Sequence, residues 1–386
     1  MSNTQKKNVP ELRFPGFEGE WEEKKLEDII KVNSGKDYKH LDKGDIPVYG
    51  TGGYMTSVSE PLSEIDAVGI GRKGTINKPY VLEAPFWTVD TLFYCTPKKE
   101  VDILFILSLF RKINWKVYDE STGVPSLSKQ TINKIIRFVP TNKEQQKIGK
   151  FFSKLDRQIE LEEQKLELLQ QQKKGYMQKI FSQELRFKDE NGEDYPEWEE
   201  KKLGDITEQS MYGIGASATR FDSKNIYIRI TDIDEKSRKL KYQNLTTPDE
   251  INNKYKLKRN DILFARTGAS TGKSYIHKEE KDIYNYYFAG FLIKFEINEQ
   301  NSPLFIYQFT LTSKFNNWVK VMSVRSGQPG INSEEYAKLP LVLPNKLEQK
   351  KIAEFLDRFD QQIELEKQKI EILHQQKKGL LQSMFI

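Results

Sequence analysis

Two arginines stand just past short apolar runs, Arg72 after residues 67–70 and Arg266 after 262–264. Each has a glycine two positions on, in Arg72-Lys73-Gly74 and Arg266-Thr267-Gly268. An arginine at a strand end can make a bidentate contact to guanine or a plain contact to phosphate. The turn Tyr49-Gly50-Thr51-Gly52-Gly53-Tyr54 lets backbone approach a surface closely and adds two rings and a hydroxyl. Lys36, Thr122, Ser126 and Lys129 complete the candidate set for DNA contact in the first half. In the second half the set is Tyr212, Arg220, Lys224, Arg266, Thr267, Ser270, Lys273, Arg325, Ser326 and Gln328. There, Arg229, Lys241, Lys256, Lys258 and Arg259 also alternate with Tyr227, Tyr242 and Tyr255. Taken singly, glycine-rich turns and solvated bases are ordinary loop chemistry; as a set they suit nucleic acid.

Groups for catalysis are missing. Gly268-Ala-Ser-Thr-Gly-Lys-Ser274 has three residues between its glycines where a phosphate-binding loop needs four. Asn77-Lys78-Pro79-Tyr80 resembles the Asn-Pro-Pro-Tyr of adenine methyltransferases, but Lys78 replaces a proline and no glycine-rich cofactor loop accompanies it. His40, His277 and His374 are scattered, so no metal site is expected. No Ser/His/Asp set or nuclease carboxylate cluster stands out. The expectation is a chain without catalytic residues, metal or cofactor.

The elements that would carry these residues come in two copies. Residues 144–181 recur at 348–385, identical at 22 of 38 positions, with an offset of 204. The motif beginning at Trp21 (WEEKKL) recurs at Trp198 with an offset of 177, so the second copy is 27 residues longer between the two motifs. Pro140 and Pro344 precede Thr141 and Asn345, with Glu144 and Glu348 three positions on. That is the spacing of a capping box, in which the glutamate reaches back to the cap amide. Beyond it, Ile148, Phe152, Leu155, Ile159, Leu166, Leu169, Tyr176 and Ile180 form a narrow apolar seam at steps of three and four. Ile352, Leu356, Phe359, Ile363, Ile370, Leu373, Leu380 and Met384 form a second. Forty helical residues reach roughly 60 Å, too long and too thinly apolar for a globular core. The domains predicted are 1–140 and 183–344, small and α/β with β-like runs at 67–70, 226–230, 262–264 and 291–295. Helices are predicted over 141–182 and 345–386.

Both seams break at matching places, Glu162 and Lys173 in one, Glu366 and Lys377 in the other. A parallel pair would set like charges together. An antiparallel pair whose facing numbers sum to 539 sets Glu162 on Lys377, Lys173 on Glu366, Leu166 on Leu373 and Leu169 on Ile370. That pairing is the expectation.

The 61 Lys+Arg and 56 Asp+Glu leave a charge of only +5, little for gripping DNA unaided. The single Cys95 excludes an intrachain disulfide framework and fits a reducing cytosol. The opening MSNTQKKNVP has no apolar leader segment, and the longest apolar run, 103–110, is too short for a bilayer. A cytoplasmic protein without a membrane partner is expected.

Two variable domains, each followed by a helix beginning near Pro-x-x-x-Glu-Gln, resemble the specificity subunit of type I restriction-modification systems. The 49–53 turn, Gly71-Arg-Lys-Gly74, Thr122-Gly-Val-Pro-Ser126 with residues 127–132, and both Glu-Gln helices carry the likeness over essentially the whole chain. The matching Ser326-Gly-Gln-Pro329 extends it to the second half, although Ala265-Arg266-Thr-Gly268 keeps that framing only partly. The resemblance implies an α+β chain with a pseudo-twofold internal repeat. In it, two target recognition domains each read half of a split site in double-stranded DNA, spaced by an antiparallel coiled coil. It further implies two modification subunits that methylate adenine with S-adenosylmethionine, and restriction subunits that use ATP and Mg2+. A stand-alone enzyme would instead modify DNA as a single chain, and a coiled-coil scaffold would bind no DNA.

Overall fold

The computed structural model describes residues 8–278 and 283–386. The opening stretch examined for a leader lies largely outside them, in residues 1–7. Two compact units emerge, one within 8–166 together with 366–386, the other within 167–365. Each holds a mixed α/β domain and a stretch of both long helices, Asn142–Phe181 and Lys346–Ser383.

In the first unit a four-stranded antiparallel sheet runs in the order Ile30–Ser34, Leu92–Pro97, Ala67–Gly71, Tyr80–Leu82. Ala67–Gly71 is buried throughout, as a central strand of this small-residue composition must be. The run 103–110 becomes the helix Ile103–Lys112, capped by the Asp102 side chain, which accepts from Phe105 N. The second unit repeats the sheet as Thr207–Tyr212, Leu292–Ile297, Ile262–Ala265, Ser274–Ile276. Each domain adds a parallel strand pair, Ile46–Gly50 with Trp87–Thr88 and Asn225–Ile228 with Asn285–Phe288. A ribbon from the tryptophan motif closes each domain, Glu22–Lys25 on Ile136–Val139 and Glu199–Lys202 on Pro340–Leu343.

The Glu-Gln motif opening each long helix does not form the expected capping box. Asn345 does cap, its side chain accepting from Glu348 N at 2.9 Å. Both glutamates, however, are buried and turn to arginines upstream of the tryptophan motif. Glu144 takes Arg13 through two 2.7 Å bonds. Glu348 takes Arg186 at 3.3 and 2.8 Å and the Trp198 indole at 3.2 Å. The glutamine next door clamps the domain helix: Gln145 accepts from Asp102 N, and Gln349 accepts from Ser302 N, at the N-cap of Pro303–Phe309. A buried carboxylate without a cation is costly, so these pairs fix where each helix meets its domain. The far end of the partner helix completes each core. Phe385 stacks on Phe105 at 5.6 Å in the first unit, and Phe181 lies 5.3 Å from Phe305 in the second.

The helices run antiparallel within both units, but not in the expected register. Glu162 pairs with Lys369 instead of Lys377, and Lys173 pairs with Asp360 at 2.6 Å instead of Glu366. Lys377 meets Asp156, and Glu366 meets Lys165 at 2.7 Å. Tyr176, expected opposite Ile363, packs on Phe355 and Phe359 at 5.1 and 5.6 Å. Facing numbers in these pairs sum to 531–535 instead of 539. The carboxylates and lysines flanking the seams decide the match, since Asp156 and Asp360 hold equivalent repeat positions and each takes a seam lysine. Glu162 and Glu366 instead come together, and Lys165 and Lys369 neutralise them; hydrogen bonding from Glu366 and then Lys369 holds Glu162 below the usual carboxylate range. Leu373 and Ile370 are buried in the seam.

Candidate nucleic-acid interface

A four-residue turn in each domain, 88–91 and 288–291, gathers the candidate loops through backbone bonds alone. In the first domain Lys36 N donates to Thr88 O at 2.8 Å, Val89 N to Tyr49 O at 3.0 Å, Arg72 N to Thr91 O at 2.8 Å, and Gly35 N to Leu92 O at 3.1 Å. The second domain repeats all four. Ile214 N donates to Phe288 O at 2.9 Å, Ala289 N to Ile228 O at 3.0 Å, Arg266 N to Phe291 O at 3.1 Å, and Gly213 N to Leu292 O at 3.0 Å. Gly35 and Gly213 are required here, because a Cβ would lie 2.0 Å from Val89 O and 2.3 Å from Ala289 O.

A second clamp joins the arginine turn to the Gly-x-Pro loop. Leu127 N donates to Arg72 O at 2.9 Å and Gly74 N to Pro125 O at 2.8 Å. Ile331 N to Arg266 O and Gly268 N to Pro329 O, both 2.9 Å, match them. Gly74 and Gly268 have φ of +88° and +71°, a left-handed conformation that favours glycine. The 27 extra residues of the second copy are thereby placed between conserved joints. Offsets of equivalent residues rise from 177 at the tryptophans to 178 after a bulge in Thr207–Tyr212, 194 at the arginines, 200 at the turn and 204 at the Gly-x-Pro loop.

On this frame the side chains differ. The Arg72 guanidinium lies 5.8 Å over the Phe93 ring and donates to Asp90 O at 3.4 Å. Lys73 bridges to Ser126, whose amide donates to Asp119 at 2.9 Å. That bond, with those from Ser121, holds the Asp119 carboxyl below the usual aspartate range and fixes the loop carrying exposed Thr122. Lys36 is exposed, and Lys129 is half-buried on the helix Lys129–Lys134, capped by Ser128. In the glycine-rich turn, Tyr49 packs against Tyr54 and Tyr80 at 6.4 and 6.2 Å, and the Tyr80 hydroxyl donates to Gly50 O at 2.6 Å. The residue that ended the incomplete methyltransferase motif is therefore a support for this turn. Thr51, Gly52 and Gly53 form its tip, and Tyr54 is 65 % exposed beside it.

In the second domain Arg266 lies 4.9 Å over the Tyr212 ring, and the Tyr212 hydroxyl accepts from Ser333 N. Thr267 bridges to Gly330, and Ser326 and Gln328 are exposed on the Gly-x-Pro loop. Arg220 and Lys224 are exposed at the ends of neighbouring segments. Arg325 is held by Glu335 and by Met322 O. Lys273 is 7 % exposed with its ammonium 3.4 Å from Glu235, and Ser270 sits in a short helical turn. The amides of Gly268, Thr271, Gly272 and Lys273 are spent on Pro329, Gly268, Ala265 and Ser270 oxygens, so four of this loop's amides are already taken. Of the interleaved bases, Arg229 is tied to Asp232 and Lys258 to Glu296, while Tyr227 is a core residue bonded to Ile214 O and Ala216 O. Tyr227 is therefore structural.

Sequence reasoning missed the turns 88–91 and 288–291, because a joint made of backbone carries no residue signature. It also missed the arginine latch, although Leu12-Arg13-Phe14 recurs as Leu185-Arg186-Phe187. Among the described residues no group of His, Cys, Asp and Glu could hold a metal, and no helix is long and apolar enough to cross a membrane.

Comparison with known proteins agrees with this two-copy frame. The type I restriction-modification specificity subunit from M. genitalium superposes with a TM-score of 0.70 at 15% identity, covering 98% of this chain and 99% of that one. A chain from a structure of a type I R-M system gives a TM-score of 0.50 at 12% identity over 94% and 96%. In sequence, the type I restriction enzyme MjaVIII specificity subunit of Methanocaldococcus jannaschii is 26% identical over 335 residues, 83% of this chain and 75% of the relative. The family profile of the type I restriction modification DNA specificity domain matches twice, at residues 18–171 and 195–375. With that profile spanning most of both copies, the chain belongs to the DNA specificity subunits of type I restriction-modification systems.

Proposed function

We propose that the chain reads a bipartite site in duplex DNA, one half per domain, and directs partner subunits without catalysing a step itself. The observation that carries this reading is the doubled backbone frame: identical hydrogen bonds place Arg72 and Arg266, while the side chains around them differ. A fixed frame with exchanged side chains suits two readers of different sequences. The recognition roles of residues 1–140 and 183–344, and the spacing role of the helices over 141–182 and 345–386, belong to the same proposal. Two modification subunits would supply S-adenosylmethionine and adenine methylation. Restriction subunits would supply ATP- and Mg2+-dependent translocation and cleavage. The modest net charge leaves non-specific affinity to be shared with these partners.

The test is reconstitution. The purified chain alone should neither methylate nor cut DNA; with its modification subunits it should give adenine methylation at a split motif. Turnover by the rigorously purified single chain, or methylation by the partners that ignores this chain, would refute the reading.

A further inference from the structure

We propose that the tips of the two joint turns, residues 90–91 and 290–291, select bases, with Phe291 making an apolar contact to a base in the half-site met by the second domain. This rests on the DNA-reading function proposed above and assigns it to residues outside the candidate set for DNA contact read from the sequence. The turns match in their bonds, since in each the residue that follows donates its amide to the carbonyl of the turn's second residue, Leu92 N to Val89 O and Leu292 N to Ala289 O. Their inner residues are buried alike: Thr88 and Phe288 are fully enclosed. The tips differ completely in chemistry. The first domain presents an exposed Asp90 and a half-buried Thr91 beside Arg72; the second presents Gly290 and Phe291 beside Arg266.

Phe291 is 61 % exposed even though its carbonyl is fixed by Arg266 N. A lone exposed apolar residue is ordinary. This one sits on a backbone joint bonded to an arginine that stacks on Tyr212, so the main chain that carries it is placed by the frame itself. A phenyl group placed there can pack on a thymine methyl or wedge against a base step. The first tip offers the opposite chemistry, as a carboxylate beside an arginine accepts from the cytosine amino group. Gly290 leaves only backbone where Asp90 carries its carboxylate in the first domain.

The experiment reconstitutes the chain with its modification subunits and maps methylation on a randomised DNA library. Wild type must first give a defined split motif; if it does not, the proposed function fails and this inference with it. Given that motif, Phe291→Ser should lower discrimination about 5- to 150-fold at one or two positions of a single half-site, leaving the other half unchanged. Phe291→Tyr, which keeps the ring, should preserve it. Asp90→Gly with Thr91→Phe should alter only the opposite half. An unchanged motif for Phe291→Ser, or a uniform fall on all sequences, would overturn the inference.

Discussion

The latch between Arg186 and Glu348 should govern the stability of the second domain, and its size follows from burial. Glu348 is 0 % exposed, and Arg186 keeps about a fifth of its side chain in water. Glu348 also receives the Trp198 indole, so Glu348→Ala removes the acceptor for two donors at once. The hydrogen bonds that Arg186 donates to Glu348 raise its pKa, and without them the guanidinium is still charged because its ordinary value lies far above neutral. Breaking a buried pair costs about 3–5 kcal/mol. Arg186 retains Tyr195 O and Pro196 O at 3.1 and 2.7 Å, which places the loss near the lower end, about 3 kcal/mol. For a domain of this size that is a fall of roughly 6–12 °C in Tm. Differential scanning calorimetry of the full chain should show the fall in one transition and leave the first domain's transition in place. The paired change Arg186→Met with Glu348→Leu should recover most of the loss, giving a coupling energy of at least about 2 kcal/mol. A single-variant loss under about 1 kcal/mol, or additive effects, would show that the latch is a surface ornament.

The helix register is open to a direct test: Lys173→Cys with Asp360→Cys should crosslink with a short bifunctional reagent, whereas Lys173→Cys with Glu366→Cys should do so much more slowly. Gly35→Ala or Gly213→Ala should destabilise its own domain by about 1–3 kcal/mol through overpacking, read by urea denaturation, and a neutral result would argue that the joint yields. Arg72→Ala and Arg266→Ala should each weaken recognition of a different half-site, by about 1–3 kcal/mol at one position if the arginine contacts a base; methylation mapping in which either variant rewrites both halves would refute modular reading. Asp119→Ala should free the 119–126 loop to proteolysis. Because the folded carboxyl titrates below its ordinary value, the staple it forms should be complete above the usual aspartate range and lost only as pH falls through the depressed pKa.

The long helices were legible because a seam at steps of three and four has only one regular solution. Their antiparallel sense, read from the charged breaks, holds within each unit even though Glu162 and Glu366 meet there; the register read from the same breaks does not hold. The actual register depends on Asp156, Asp360, Lys165 and Lys369, which flank the seams and look like ordinary solvated residues in the sequence. The same limit explains Glu144 and Glu348, whose capping spacing is real while their actual partners lie 131 and 162 residues away. Around the candidate site, apolar runs ending in Arg-x-Gly marked the strand ends where Arg72 and Arg266 stand. Lys273 and Tyr227 show the converse, since composition cannot separate a basic or aromatic residue at the surface from one enclosed by its fold.

Phe385 and Met384 lie in the core of the first domain, with Trp21, Phe105 and Phe152. That domain is consequently finished by residues translated more than 200 positions after its own last strand, Ile136–Val139. At about 5–20 residues per second, the ribosome needs roughly 10–50 s to deliver them. The second domain draws its compact unit from one uninterrupted stretch, 167–365, and has no such wait. The half that emerges first is thus the half completed last. Until Met384 and Phe385 arrive, the first core lacks the ring that stacks on Phe105 in the folded chain.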